Sequence, residues 1–249
     1  MADEEEQSKE AFASLQQPQS EFRERWARRL KTAGRKLLPE VLTAEVRRYQ
    51  DCERRERFLY LRIRLLSSIG FANPKHARPP RTARSFLFVC FGNIMRSPMC
   101  EALMNRALSH LTSRQFTVTS AGLNAVAGTA AHPWAVKAAQ ELGISLENHR
   151  ARLLNAEMVN QADAIFAMDY QNQAQLLSRY TQAKNKVFML GAYAGEGTHV
   201  SEIRDPYHGG EEATRSCYKI LGTCIQNLVC SLSDSQVVNI VQGTDDDSQ

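Results

Sequence analysis

Thirteen residues, Phe86 to Pro98, constrain the fold more than any other part of the chain. FLFV is apolar on both faces, the loop CFGNIMR follows at once, and Ser97-Pro98 then opens a helix. A strand that is apolar on both sides must be covered on both sides, as inner strands of parallel sheets are. A tight strand-to-helix junction also aims backbone N–H groups and the positive end of the helix dipole at one point. Ser97 is a capping residue type and Pro98 suits a first helical turn. Gly92 and Asn93 tolerate the positive φ angles of a tight loop. The loop of Phe91, Gly92, Asn93, Ile94, Met95, Arg96 and Ser97 is therefore predicted to close round an anion as a ring of amides, with Cys90 at its centre.

The remainder of this part of the chain alternates strands with helices. Strands are expected at Phe86–Val89, Phe116–Ser120, Ala164–Met168 and Val187–Leu190. Helices are expected at Pro98–Leu111, Pro133–Leu142 (closed by Gly143), Asn155–Gln161, Asn172–Tyr180 and Glu211–Leu232. Such alternation predicts an α/β fold with a doubly wound parallel sheet.

Upstream the character differs. Residues 1–84 carry 19 Lys/Arg against 12 Asp/Glu, whereas the rest of the chain carries more acid than base. Residues 1–20 are polar and read as disordered. Residues 21–69 read as a basic helical extension: one helix over Glu21–Lys36, an interruption at Pro39, and a second from about Thr43 to Ser68. Within the second, Phe58–Leu66 (FLYLRIRLL) also alternates as a strand would, so its periodicity is ambiguous. Residues 70–84, with Gly70 and three prolines, read as a linker to a domain over 85–232. Residues 233–249 read as an acidic flexible tail.

No apolar run reaches the roughly 18 residues a membrane-spanning helix needs, and the polar, acidic N-terminus does not read as a secretory signal. Six cysteines, Cys52, Cys90, Cys100, Cys217, Cys224 and Cys230, form no C-x-x-C pair and no zinc-type spacing. A reducing cytoplasm is the compartment this pattern fits. There a helix N-terminus and a neighbouring guanidinium would favour a thiolate at Cys90. The planar fork of Arg96, six residues on, suits bidentate binding of a phosphate-like anion.

VCFGNIMRSP resembles the signature loop of the low-molecular-weight protein tyrosine phosphatases, and the likeness continues in order through about residues 85–230. Ser120-Ala121-Gly122-Leu123 resembles the family's S-A-G turn. His149-Arg150-Ala151-Arg152 resembles a stretch after its second helix, and Asp163 to Asp169 its strand and acidic turn. Asp205-Pro206-Tyr207 resembles its D-P-Y acid loop. AVAGTAAHP and HRARLL are most similar to the bacterial exopolysaccharide-associated branch.

The resemblance implies a four-stranded, flavodoxin-like sheet of the phosphotyrosine phosphatase I type, here with an N-terminal α-helical extension. It implies hydrolysis of phosphotyrosine through a phosphocysteine: Cys90 the nucleophile, Arg96 the phosphate clamp, Asp205 the general acid and then base. The loop from Phe91 to Ser97 would bind the phosphate, and Ile94 with Tyr207 would wall the substrate ring. No cofactor or metal is expected. The implied partner is a phosphotyrosine protein, in the branch a bacterial tyrosine kinase of polysaccharide export. No nucleic acid is expected, and the basic N-terminal helices fit an anionic membrane or a protein partner.

Three alternatives stay open. Arsenate reduction on the same fold needs further cysteines after the second helix, and residues 144–216 contain none. Phosphoarginine hydrolysis belongs to relatives with Thr inside the loop, where this chain has apolar Ile94. A non-catalytic phosphotyrosine-binding adaptor would keep the pocket alone. One departure bears on redox behaviour: Met95 stands where many relatives carry a second cysteine, which removes their protective disulfide and exposes Cys90 to over-oxidation.

Overall fold

The computed structural model describes residues 54–68, 78–109, 115–195 and 201–232, all within one compact unit that begins at Cys52. The expectations for residues 1–20, the helix over 21–36, the break at Pro39, most of the 70–84 linker and the 233–249 tail fall outside the described residues.

Apolar runs become the inner layer. Strand β1 (Ser85–Cys90) lies between β2 (Thr117–Gly122) and β3 (Ala164–Ala167), and β4 (Val187–Met189) completes a four-stranded sheet of order β2-β1-β3-β4, every pairing parallel. Parallel neighbours require helical crossovers. These are α2 (Arg96–Leu108), α3 (Pro133–Gln140), α4 (Ala156–Gln161) and α5 (Tyr170–Arg179), and α6 (Gly210–Leu232) follows β4. Side chains alternate along β1, as the two-residue period of a strand dictates. Phe86, Phe88 and Cys90 join a core that includes Met99 and Met104 of α2, Ala135 of α3 and Leu221 of α6. Leu87 and Val89 face the opposite core, with Val159 of α4 and Leu176 of α5. Both faces are thus covered, as the apolar pattern of FLFV required.

Chain direction reverses about β1: the chain leaves it towards β2 on one side and returns to β3 on the other. In open α/β sheets such a switch point creates a crevice at the carboxyl ends of the strands. The loop after β1, the turn after β3 and the loop before α6 all meet there.

Helix caps account for several boundaries. Asn155 accepts from the Met158 N–H, Asp169 from the Asn172 N–H, and the His132 ring from the Trp134 N–H. Gly143, at φ 67°, ends the turn after α3 in the left-handed conformation glycine permits.

Helix α1 (Arg54–Ser68) includes the segment whose period was ambiguous, and the structure resolves it as helical. Its inner side presents Glu56 and Tyr60, both buried, and Ser67 towards α5. Glu56 lies 3.7 Å from Arg179, and its carboxylate accepts from Gln175 at 3.5 Å. Phe58, Leu61 and Leu65 lie on the outer side, exposed. Among the described residues no helix is long and apolar enough to cross a membrane.

Candidate active site

The loop from Cys90 to Ser97 turns its carbonyls outward. Leu123 N donates to Cys90 O at 3.0 Å and Asn124 N to Phe91 O at 2.9 Å. His132 N donates to Ile94 O at 2.9 Å. His149 Nε2 donates to Asn93 O at 2.7 Å, and the Tyr218 hydroxyl to Met95 O at 3.0 Å. Carbonyls held from outside leave the amides to face the interior of the loop.

The sulfur is the focus. Cys90 Sγ accepts from Asn93 N at 3.2 Å and lies 3.0 Å from Ser97 Oγ. Asn93 sets the turn. At φ 54° it is the sole non-glycine residue with positive φ among those described, and Asn tolerates this conformation better than most side chains do. Its side chain is fully committed: Nδ2 donates to Ser97 Oγ at 2.9 Å and to Ser120 Oγ at 2.8 Å, and Oδ1 accepts from Arg152 N at 2.8 Å. Ser120 in turn donates to Glu101, which also pairs with Arg152, both at 2.5 Å.

Two expectations about the loop need correction. Ser97 is not the helix cap: α2 begins at Arg96, Met95 holds the N-cap position without a side-chain hydrogen bond, and the Ser97 hydroxyl is drawn into the sulfur network instead. Gly92 does not take a positive φ, and a Cβ there would meet only Ile94 atoms at 3.6 Å and beyond. The glycine that close approach demands is Gly122, at the end of β2. A Cβ on it would lie 2.8 Å from Asn93 N and from Gly92 C.

Arg96, its side chain 2 % exposed, is the most deeply shut-in charged side chain of the site. Its Nη1 donates to Asp169 Oδ2 at 2.7 Å and to Ile203 O at 2.9 Å, and its Nη2 pairs with Asp205 Oδ2. Burial alone would lower its pKa, but Asp169, Asp205 and Cys90 outweigh desolvation and hold the guanidinium firmly charged. Asp205 is the opposite case, with its side chain 41 % exposed. Its Oδ1 accepts from Tyr207 N at 3.2 Å, the self-closing turn expected of Asp before Pro.

Tyr207 stands at the rim, 46 % exposed, with its ring edge-on to His132 at 5.5 Å and to His208 at 5.0 Å. Phe91 is also exposed, and Ile94 is partly buried. All residues expected at the site therefore meet at one end of the sheet. Asp169, His132, His149 and Glu101 join them without having been singled out as site residues. The available signals were slight: Asp169 follows an apolar strand, and His132 precedes Pro133 at a helix start. Among the described residues no cluster of three or more His, Cys, Asp or Glu side chains could hold a metal ion.

Comparison with known proteins agrees with the likeness of the loop. Residues 85–238 match the family described as low molecular weight phosphotyrosine protein phosphatase. The low molecular weight protein-tyrosine-phosphatase Ptp of Acinetobacter johnsonii is 33% identical over 57% of this chain and 93% of its own length. The phosphatase Wzb of Salmonella typhi is 36% identical over 54% of this chain and 85% of its own. Among solved structures, the tyrosine phosphatase AmsI of Erwinia amylovora superposes with a TM-score of 0.56 at 32% identity, covering 61% of this chain and 95% of that one. The YwlE arginine phosphatase of Geobacillus stearothermophilus superposes with a TM-score of 0.53 at 33% identity, covering 60% and 92%.

Proposed function

Because the chain belongs to the low molecular weight phosphotyrosine protein phosphatase family, we propose that it hydrolyses phosphotyrosine on proteins through a phosphocysteine at Cys90. The observation that carries this reading is the convergence on one sulfur of a backbone amide and a hydroxyl, at 3.2 and 3.0 Å, at the mouth of a helix whose first residue is a buried arginine.

In the first step the Cys90 sulfur attacks phosphorus. The S–P bond forms, the bond from phosphorus to the phenol oxygen breaks, and Asp205 gives that oxygen its proton. A dianionic phosphoryl group would take Arg96 Nη2 from Asp205, while Asp169 and Ile203 O keep Nη1 fixed. The released carboxylate, no longer matched by the guanidinium, takes up a proton from solvent and can then face the leaving oxygen. The loop amides of Phe91 to Ser97 and the Arg96 fork surround the three equatorial oxygens. In the second step Asp205 takes a proton from water, water oxygen bonds to phosphorus, and sulfur departs as a thiolate that Asn93 N–H and the Ser97 hydroxyl can receive.

Ile94 and Tyr207, the latter backed by His132, form an apolar and aromatic rim suited to a phenyl ring. This favours phosphotyrosine over the phosphoarginine on which YwlE, by its name, acts. The resemblance of AVAGTAAHP and HRARLL to the exopolysaccharide-associated branch extends the reading to a tyrosine kinase of polysaccharide export as the physiological substrate.

The test uses the full chain with p-nitrophenyl phosphate, a phosphotyrosine peptide and phosphoarginine. Cys90→Ser is expected to abolish turnover while retaining vanadate binding, and Asp205→Asn to cost roughly 10²–10⁴-fold in rate on the phosphotyrosine peptide, whose leaving oxygen needs the proton. Turnover by the Cys90→Ser protein would end the nucleophile assignment, and faster cleavage of phosphoarginine than of phosphotyrosine would reverse the substrate assignment.

A further inference from the structure

Helix α1 precedes the residues that match the family, which begin at 85, yet it holds two pieces of the site's frame. Arg64 Nη1 donates to Glu202 Oε2 at 2.9 Å, and the same guanidinium lies over the Tyr170 ring, 5.5 Å from its centroid. One turn further on, Ser67 Oγ and Tyr170 OH are 2.5 Å apart. The other oxygen of Glu202 accepts from Tyr170 N at 2.9 Å. A single carboxylate therefore bridges α1 and the start of α5.

Both contacted residues adjoin the groups that hold Arg96. Tyr170 directly follows Asp169. Glu202 directly precedes Ile203, whose N–H donates to Met168 O at 2.7 Å and whose carbonyl accepts from Arg96 at 2.9 Å. Asp205 is three residues beyond Glu202. The turn after β3 and the segment leading to Asp205 are thus tied to each other through Glu202, and to α1 through Arg64 and Ser67.

We propose that Arg64 is a positioning residue for the acid loop, with Ser67 as its second fastening, so that α1 fixes the stance of Asp205 towards the leaving oxygen. This rests on the acid role assigned to Asp205 above. The Arg64–Glu202 side chains are 37 % and 13 % exposed, a drier setting than the surface pairs that contribute little. Helix α1 is itself anchored by buried Tyr60 and by Glu56 against Arg179, so Arg64 projects from a fixed support. Proton transfer is sensitive to placement on the ångström scale, and small misplacements from outside the reacting centre are costly. Purely structural packing would instead lower stability without regard to the leaving group.

Leaving-group dependence separates the two roles. Values of kcat/KM for phenyl phosphate and p-nitrophenyl phosphate are measured on the full chain, with vanadate inhibition as a gauge of the phosphate loop. Arg64→Ala is expected to lose about 10-fold or more with phenyl phosphate, whose leaving oxygen needs the proton, and about threefold or less with p-nitrophenyl phosphate, whose leaving oxygen does not. Vanadate inhibition stays unchanged, Arg64→Lys recovers part of the loss, and Arg62→Ala on the outward side of the helix matches the unaltered protein. Asp205→Asn in the same assay must show the same bias more strongly. If it does and Arg64→Ala shows equal losses on both substrates, or none, the positioning role is overturned alone. If Asp205→Asn shows no bias, the acid assignment falls and this inference with it. Should Arg64→Ala fail to fold, Tyr170→Phe, which removes only the hydroxyl meeting Ser67, must show the bias or overturn the proposal.

Discussion

Arg96 and Asp169 form an ion pair of 2.7 Å in which both side chains are nearly shut off from water, at 2 % and 7 % exposure. The two residues lie 73 positions apart, one opening α2 and the other in the turn after β3. Asp169 also caps α5, accepting from Asn172 N at 2.7 Å. One carboxylate thus fixes a helix start and neutralises the site's buried cation. Asp205, half open to solvent, is left as the partner that another anion can replace.

Removing Asp169 leaves a buried guanidinium with only a half-exposed counter-ion. Asp169→Ala is expected to destabilise by about 3–5 kcal/mol and to abolish vanadate binding. Asp169→Asn, which retains a cap acceptor, should lose less stability but most of the activity. Urea titration and a phosphatase assay check both, and an unchanged urea midpoint for Asp169→Ala would contradict the account.

Gly122 touches the loop from below. A methyl group there would sit 2.8 Å from backbone atoms of Asn93 and Gly92 and from the Ala125 Cβ, so the loop or β2 must move. Gly122→Ala is expected to cost about 1–3 kcal/mol and to weaken inhibition by vanadate much more than it lowers the melting temperature. Vanadate inhibition equal to that of the unaltered protein would show that the contact yields without reshaping the ring.

His149 links folding to pH. Desolvation lowers its pKa, against the opposing effect of its hydrogen bond to Asn93 O. The folded chain therefore favours the neutral ring. Its stabilisation is present above the ordinary value near 6.5 and is lost as pH falls through the lowered folded value, where the unfolded chain binds the proton more readily. The melting temperature is expected to fall between pH 7.5 and 5.5, and His149→Gln should show a shallower fall. Parallel curves would remove His149 from this role.

Thiol labelling should sort the cysteines. Burial pushes Cys217 and Cys224 up to about 12, and raises Cys100 well above the ordinary thiol range. Thiolate is the reactive form, so these three are expected to resist iodoacetamide at pH 7. Cys90 is expected to react and to be protected by inorganic phosphate, while exposed Cys230 reacts with or without phosphate. Peptide mapping by mass spectrometry reads the outcome, and phosphate-independent labelling of Cys90 would count against the loop as an anion site.

Local signals carried the reading of the sheet. FLFV, AIFA and VFM are apolar on both faces, and Asn155 and Gly143 mark helix limits where single residues have a conformational reason to stand. The loop was legible because its chemistry lies within eight consecutive residues. Long-range partners were not. Nothing near Arg96 in the chain announces Asp169, and nothing near Asn93 announces His149 or Arg152, 56 and 59 positions on. Ser97 misled because capping is a local rule, and the hydroxyl found a stronger demand at the Cys90 sulfur. In Phe58–Leu66 the two periods overlap, and the choice fell to helix once Glu56, Tyr60 and Ser67 met α5.

Cys90 ends the same face of β1 that carries Phe86 and Phe88, and Phe88 stacks on Phe166 at 5.4 Å in the middle of the sheet. The sulfur is the last rung of a hydrophobic ladder, with no hinge between the load it shares and the loop it serves. Loosened packing two rungs down would therefore register as poor alignment at the thiol while the chain is still folded. Catalytic rate in this architecture doubles as a gauge of interior strain.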